Sequence, residues 1–351
     1  MPNETMTGRE RWLAVLNWET PDRVPMDINI TKEACEKLLT HMGCDRETMI
    51  KRLHIDERLG AYGRYVGPPL PEGEDAFGLK YRMVDYGTGA YNEVINSPLA
   101  QFQTVEEIEA NYTWPSPDWW DYSHLPAFAA QNEDRAITSC GSEPFMWYKF
   151  LRGEQQAFMD LLAYPEIVHY CLDKLFDLAY QANLRTFEAI PGKVIMAYIA
   201  EDLGGQDAIM YAPDQCREFL FPRMKRMMDL TKQNGAHVFT HSDGSFREVI
   251  PDLLDIGVEV LNPIQWRCKG MDREGLKRDF GKRLIFHGAV DNQYTLPFGS
   301  VEEVRQEVID NYRILGEGGG YILGPCHNIQ VVSPPENVIA LYEAGYEYGW
   351  R

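Results

Sequence analysis

The sequence lacks any apolar run long enough to cross a bilayer: stretches such as Val194 to Ala200 fall far short of the roughly 20 residues a helical span needs. No membrane association is expected. Basic residues are also scarce, with 34 Lys and Arg against 53 Asp and Glu and a formal charge of -19. Phosphate binding requires clustered cations, and fragments such as Arg223-Met-Lys-Arg226 are the longest basic tracts, which excludes nucleic acid as an expected partner. Met1 to Arg11 is polar and charged throughout, without the apolar core of a leader peptide, so the expected location is cytoplasmic.

Paired cysteines are missing as well. Cys35, Cys44, Cys140, Cys171, Cys216, Cys268 and Cys326 are odd in number, scattered and free of CxxC spacing, which indicates reduced thiols and excludes a disulfide scaffold. No glycine fingerprint follows a strand-like run; Gly316-Glu-Gly-Gly-Gly320 precedes one and reads as a helix end and turn. Ser142 and Ser245 lack the strand-to-helix elbow of a serine nucleophile. The adjacent carboxylates Glu201 and Asp202 stand without a recognisable sugar-binding context.

What is present begins with a capping box, Thr7 and Glu10, ahead of the helically spaced Trp12, Leu13, Val15 and Leu16. A first strand is predicted over 23–29 and a helix from Lys32. Residues from about 60 to 121 then form an irregular insertion crowded with Tyr62, Tyr65, Tyr86, Trp114, Trp119 and Trp120, with Tyr122 at its edge, aromatics that suit local packing more readily than a stacking pocket.

From Ala136 onward, strand-length runs at 136–140, 194–200, 237–241, 258–262, 283–287 and 320–323 alternate with amphipathic helical stretches. With the strand near 24 and another near 92–96, the count reaches the eight that close a barrel. The expected fold is an α/β, (β/α)8 TIM-type barrel with an N-terminal helical extension, forming a single domain over 1–351.

Such barrels carry their chemistry at the carboxyl ends of the strands. Those ends hold Asp27 and Asn29; Glu201 and Asp202; His241 and Asp243; Asn262 and Gln265; His287 and Asp291; and Cys326 with His327. His241 and Asp243 share a strand face by their i, i+2 spacing, so both can meet one ion. With Cys326 from the far strand and Glu201 from the preceding one, they form a candidate Zn2+ shell. A hydrogen-bonded strand-end histidine, a turn-capping aspartate before Gly244 and a buried thiol are the plainer readings of the same residues.

The stretch Thr7-Gly-Arg-Glu-Arg-Trp-Leu-Ala-Val-Leu-Asn-Trp-Glu-Thr-Pro-Asp-Arg-Val-Pro25 resembles the opening of the uroporphyrinogen decarboxylase-like superfamily. Gly67-Pro-Pro-Leu70, Leu151-Arg-Gly153, Glu201-Asp-Leu-Gly204, Leu261-Asn-Pro263, the 281–291 strand region and Gly318-Gly-Gly-Tyr-Ile-Leu323 follow in order, and the resemblance implies a TIM-type barrel. Decarboxylases of that superfamily grip propionates with an Arg-rich first strand. Here Val24-Pro-Met-Asp-Ile-Asn-Ile-Thr-Lys32 lacks those arginines, so an octacarboxylate suits this acidic chain poorly.

The other branch it resembles is the corrinoid-dependent methyltransferases, with zinc on a His-x-Cys pair and a distant Cys. His241 and Cys326 match two of these positions, and Asp243 replaces the middle cysteine. A carboxylate ligand leaves zinc a stronger Lewis acid, suited to polarising an ether oxygen. The resemblance thus implies O-demethylation: a methyl group moves from a small methoxylated, aromatic substrate to a Co(I) corrinoid. This cobamide would arrive on a separate small carrier protein, because no Asp-x-His-x-x-Gly cobamide motif is present.

In that reading Glu201, Asp202 and His327 serve catalysis, and Asp27 and Asn262 bind substrate. The alternatives are a metal-free decarboxylase, a methylcobamide:thiol methyltransferase and a non-catalytic binding barrel.

Overall fold

Six of the expected runs become strands, and a seventh strand precedes them: β1 Arg58–Gly60, β2 Ala136–Ser139, β3 Val194–Tyr198, β4 His237–His241, β5 Val260–Asn262, β6 Ile285–Val290 and β7 Tyr321–Pro325. The computed structural model describes residues 3–85, 87, 90–139 and 141–351; Tyr86 and Cys140 lie outside these. Every strand pairs in parallel with its successor, giving one curled seven-stranded sheet in chain order. β2, β6 and β7 are buried along their whole length, as parallel strands covered on both faces must be.

The two ends of the sheet meet at the segment expected to be the first strand. Asp27 N–H donates to Leu323 O (2.8 Å) and Leu323 N–H to Pro25 O (3.0 Å), while on the other side Asp56 N–H donates to Met26 O (2.7 Å). The strand expected near 92–96 lies elsewhere: Ala90–Val94 pairs antiparallel with Tyr81–Asp85, outside the main sheet. Its half-exposed Tyr-Asn-Glu pattern suits a solvated hairpin, and Arg58–Gly60 takes the place in the sheet.

The capping box forms as expected, with Thr7 N–H on Glu10 Oε2 at 2.8 Å and Glu10 N–H on Thr7 Oγ1 at 3.2 Å. It starts the helix Gly8–Leu16, which drives Trp12, Val15 and Leu16 into a buried cluster with Ile195, Phe239, Val260, Ile285 and Ile322. These five come from five successive strands, so the helix plugs the amino-terminal end of the curl and leaves the carboxyl ends free. Among the described residues, no helix is long and apolar enough to cross a membrane.

Candidate metal centre

β4 ends at His241, and the chain turns sharply over Ser242 to Gly244. Gly244 has φ +80°, and a Cβ there would lie 2.3 Å from Gly204 O, so glycine is what allows this turn to pass under the 201–205 loop. The turn is pinned from both sides: Asp243 N–H donates to Asp202 Oδ1 (3.0 Å), and Gly244 N–H to Gln265 Oε1 (2.7 Å). Gln265 Nε2 in turn donates to Asp243 Oδ1 at 2.9 Å and aims the carboxylate at His241.

His241 Nε2 stands 3.7 Å from Asp243 Oδ1, and His327 Nε2 stands 3.7 Å from Asp243 Oδ2. Ligand atoms of the three lie within 4.8 Å of one another, and among the described residues they are the only such set. These spacings are too long for hydrogen bonds. They are close to the ~3.4 Å that separates tetrahedral ligands held about 2.1 Å from one ion. Two imidazoles and a carboxylate with an open side are a donor set that fits zinc. Burial raises the Asp243 carboxyl above its ordinary value, against the pull of His241 and His327.

The other expected ligands stand outside this group. Cys326 N–H still bonds Val290 O as a continuation of β7, and its Sγ donates to Ile264 O at 3.1 Å. Burial pushes its thiol well above the ordinary value. Alternation along an extended chain sends neighbours to opposite sides, so it is His327 that meets Asp243. Glu201 is 1% exposed, and its Oε1 accepts the Phe145 N–H at 2.8 Å, near the start of the helix Pro144–Arg152. Burial raises its carboxyl well above the usual range. Asp202 faces the group, its Oδ1 3.8 Å from His241 Nε2.

Asp27 and Asn262, expected to touch substrate, sit in the wall beneath. Asn262 lies between two rings, with Oδ1 2.6 Å from His241 Nδ1 and Nδ2 2.7 Å from His287 Nδ1. Asp27 Oδ2 meets His287 Nε2 at 3.0 Å and Arg58 Nε at 2.6 Å. Burial alone would raise the Asp27 carboxyl, yet Arg58 and His287 outweigh it and hold it at about 2, below its ordinary 3.8. The stability this group contributes is therefore complete above roughly pH 4 and is lost as pH falls toward about 2, amounting to about 2 kcal/mol. Asp27→Asn should remove that acid-side loss from urea unfolding measured across this range; an unchanged acid limb would contradict the assignment.

Three residues of the site escaped the sequence reading. Arg58 lies on the unrecognised strand. Tyr198 lies within the 194–200 run and Glu143 follows the 136–140 run, and neither stands in a paired metal-ligand spacing; strand-end position alone could have marked them. Tyr198 OH donates to Glu143 Oε1 at 2.7 Å, and its ring centroid is 5.9 Å from that of His241. Beyond Glu143 opens a cavity of about 210 Å³ lined by Tyr62, Phe77, Trp120, Tyr122 and Trp147. The insertion's aromatics thus divide between this cavity and local packing, such as Trp114 against Tyr112 and Tyr170.

The uroporphyrinogen decarboxylase (URO-D) family model matches residues 124–348. The uroporphyrinogen decarboxylase of Anaeromyxobacter dehalogenans is 26% identical over 193 residues, covering 54% of this chain and 51% of that one. The methylcobamide:CoM methyltransferase MtaA of Methanosarcina barkeri is 26% identical over 196 residues, covering 54% of each chain. The chain thus spans about half the length of the curated relatives it matches. A methyltransferase from Methanosarcina mazei shares the fold, with a TM-score of 0.71, 20% identity, and coverage of 98% of this chain and 99% of that one. By the match over residues 124–348, the chain belongs to the uroporphyrinogen decarboxylase (URO-D) family.

Proposed function

We propose that this protein is a zinc-dependent methyltransferase that takes a methyl group from a methoxylated aromatic compound and passes it to the Co(I) corrinoid of a separate carrier protein. The observation that carries this reading is the 3.7 Å spacing of His241, Asp243 and His327 around one point at the carboxyl ends of the strands. Residues 24–27, bonded to β7 on one side and to Asp56, just ahead of β1, on the other, would complete the sheet to the (β/α)8 barrel whose mouth carries such sites.

When bound, zinc would supply Lewis acidity toward an ether oxygen, undiminished by thiolate ligands. The chain's own residues do the rest. Asp202, half-exposed beside His241, is placed to hand a solvent proton to the leaving oxygen. The electron pair of the broken C–O bond stays on that oxygen as it takes the proton, and the methyl carbon passes to the electron pair of Co(I). The aromatic cavity suits a flat ring. Among the described residues lining it, Glu143 is the only charged one, which favours an uncharged methoxyphenol over a methoxybenzoate.

A decarboxylase of polycarboxylates is disfavoured by the same mouth, where Asp202, Asp243 and Glu143 are acidic and Arg58 is committed to Asp27. The test is metal content followed by turnover: about one zinc per chain, then loss of Co(I) absorbance and release of catechol from 2-methoxyphenol with reduced corrinoid. Zinc with methylation of a thiol but no catechol would replace this reading by the thiol methyltransferase. Metal-free release of carbon dioxide from a polycarboxylate would replace it by the decarboxylase.

A further inference from the structure

We propose that Asp27, His287 and Asn262 form a hydrogen-bond chain of fixed direction that holds His241 as its Nδ1–H tautomer and keeps the Nε2 lone pair bare toward Asp243 and His327. The proposal rests on the zinc reading only for why a bare Nε2 matters; the chain itself follows from the donors and acceptors.

Its direction is set at the far end. Arg58 Nε donates to Asp27 Oδ2 at 2.6 Å, and a carboxylate beside a guanidinium is ionised and can only accept. His287 Nε2, 3.0 Å from the same oxygen, must therefore carry the proton. His287 is 3% exposed, between the Trp12 ring at 5.8 Å and the edge-on Phe239 ring at 5.0 Å. Burial lowers its pKa and keeps the ring neutral, with one proton to place.

His287 Nδ1 is then bare and accepts from Asn262 Nδ2 at 2.7 Å, which turns the amide oxygen toward His241. That oxygen is 2.6 Å from His241 Nδ1, so this nitrogen holds a proton, and in the neutral ring that a metal ligand must be, Nε2 is bare. Reversing the amide would press a bare His287 nitrogen against the Asp27 carboxylate, two buried acceptors with no hydrogen between them. A free histidine side chain prefers the opposite tautomer, with its proton on Nε2. The chain therefore prepares His241 as a ligand before any ion arrives, the task that outer partners of metal-binding histidines perform. Asp27, His287 and Asn262 are positioning residues, since none of them supplies a ligand atom to the group of His241, Asp243 and His327.

The experiment is 15N NMR of the histidine rings in metal-free protein, paired with zinc affinity by chelator competition. Expected in the wild type is a protonated Nδ1 and bare Nε2 for His241, with the reverse for His287. Asn262→Ala should move His241 toward the Nε2–H form and weaken zinc binding about 10- to 100-fold. Asn262→Asp, which keeps an acceptor toward His241 and draws a second proton onto His287 Nδ1, should restore affinity to within a few-fold. Should Asn262→Ala fail to fold, Asp27→Asn acts three hydrogen bonds from His241 and should still shift both tautomers, an effect a merely structural role would not produce. A wild-type His241 with its proton on Nε2, or one unmoved in both Asn262→Ala and Asp27→Asn, overturns the chain. Wild-type protein that shows the stated tautomers but binds no zinc sinks the metal reading and leaves the chain standing.

Discussion

Alanine at His241 is expected to empty the metal centre, taking zinc from about one per chain to a trace after dialysis and weakening affinity by more than about 100-fold. Loss of an outer partner alone typically lowers affinity about 10- to 100-fold, and His241 supplies a direct donor nitrogen already oriented by Asn262. Asp243→Asn keeps the shape and one oxygen donor, so a smaller loss is expected there. Neither side chain belongs to the apolar core, the His241 and Asp243 side chains being 12% and 30% exposed, so unfolding midpoints should fall only modestly. Methyl transfer should disappear together with the zinc. Wild-type zinc affinity in His241→Ala would falsify the proposed function at its root.

The dipeptide Cys326-His327 divides the remaining shell. Zinc lost from His327→Ala and retained by Cys326→Ala identifies the third donor as the imidazole that stands 3.7 Å from Asp243. The opposite result identifies it as the thiolate, freed from its bond to Ile264 O and deprotonated by the ion.

Strand ends were the legible part of the sequence, because period-2 burial and the i, i+2 rule are local. That logic put His241 and Asp243 on one side of one strand end, and they meet there. It failed where a residue's partner lies across the fold. Whether 326 or 327 faces the centre depends on how far β7 continues, which the Cys326 to Val290 hydrogen bond decides and composition does not. Glu201 has the chemistry of a ligand, but its oxygen meets Phe145 N–H near the start of the next helix. Asn262 and Asp27 look like substrate contacts at strand ends, yet a histidine from a third strand lies between them. The short strand Arg58–Gly60 hid Arg58, because three half-buried residues carry no periodic signal.

Alanine at Asp56 is expected to cost about 3–5 kcal/mol of folding stability, the loss typical when one partner of a buried ion cluster is removed. The resemblance that first marked this chain lies in Thr7 to Pro25, and its charged residues prove to be structural. Arg11, 1% exposed, holds Asp22 through Nε (2.7 Å) and Nη2 (3.0 Å) and also reaches Asp56 Oδ1. Arg23, equally buried, donates to Asp56 Oδ2 at 2.7 Å, and Met26 N–H adds a bond to the same oxygen at 2.9 Å. Removing this carboxylate leaves two guanidiniums out of water with their compensation reduced; Asp22 still serves Arg11, which places the expected loss toward the lower end of the range. Against a total of about 5–15 kcal/mol for a typical domain, that is a large fraction.

The effect should also travel. Asp56 holds Met26 through its side chain and its own N–H, and Met26 precedes Asp27, where the chain to His241 begins. Urea unfolding of Asp56→Ala should show the lowered midpoint, and zinc affinity should fall even at urea concentrations where the protein stays folded. A stability loss under about 1 kcal/mol would mean that the arginines find other partners. A full loss of stability with unchanged zinc affinity would separate the floor of the fold from the centre above it.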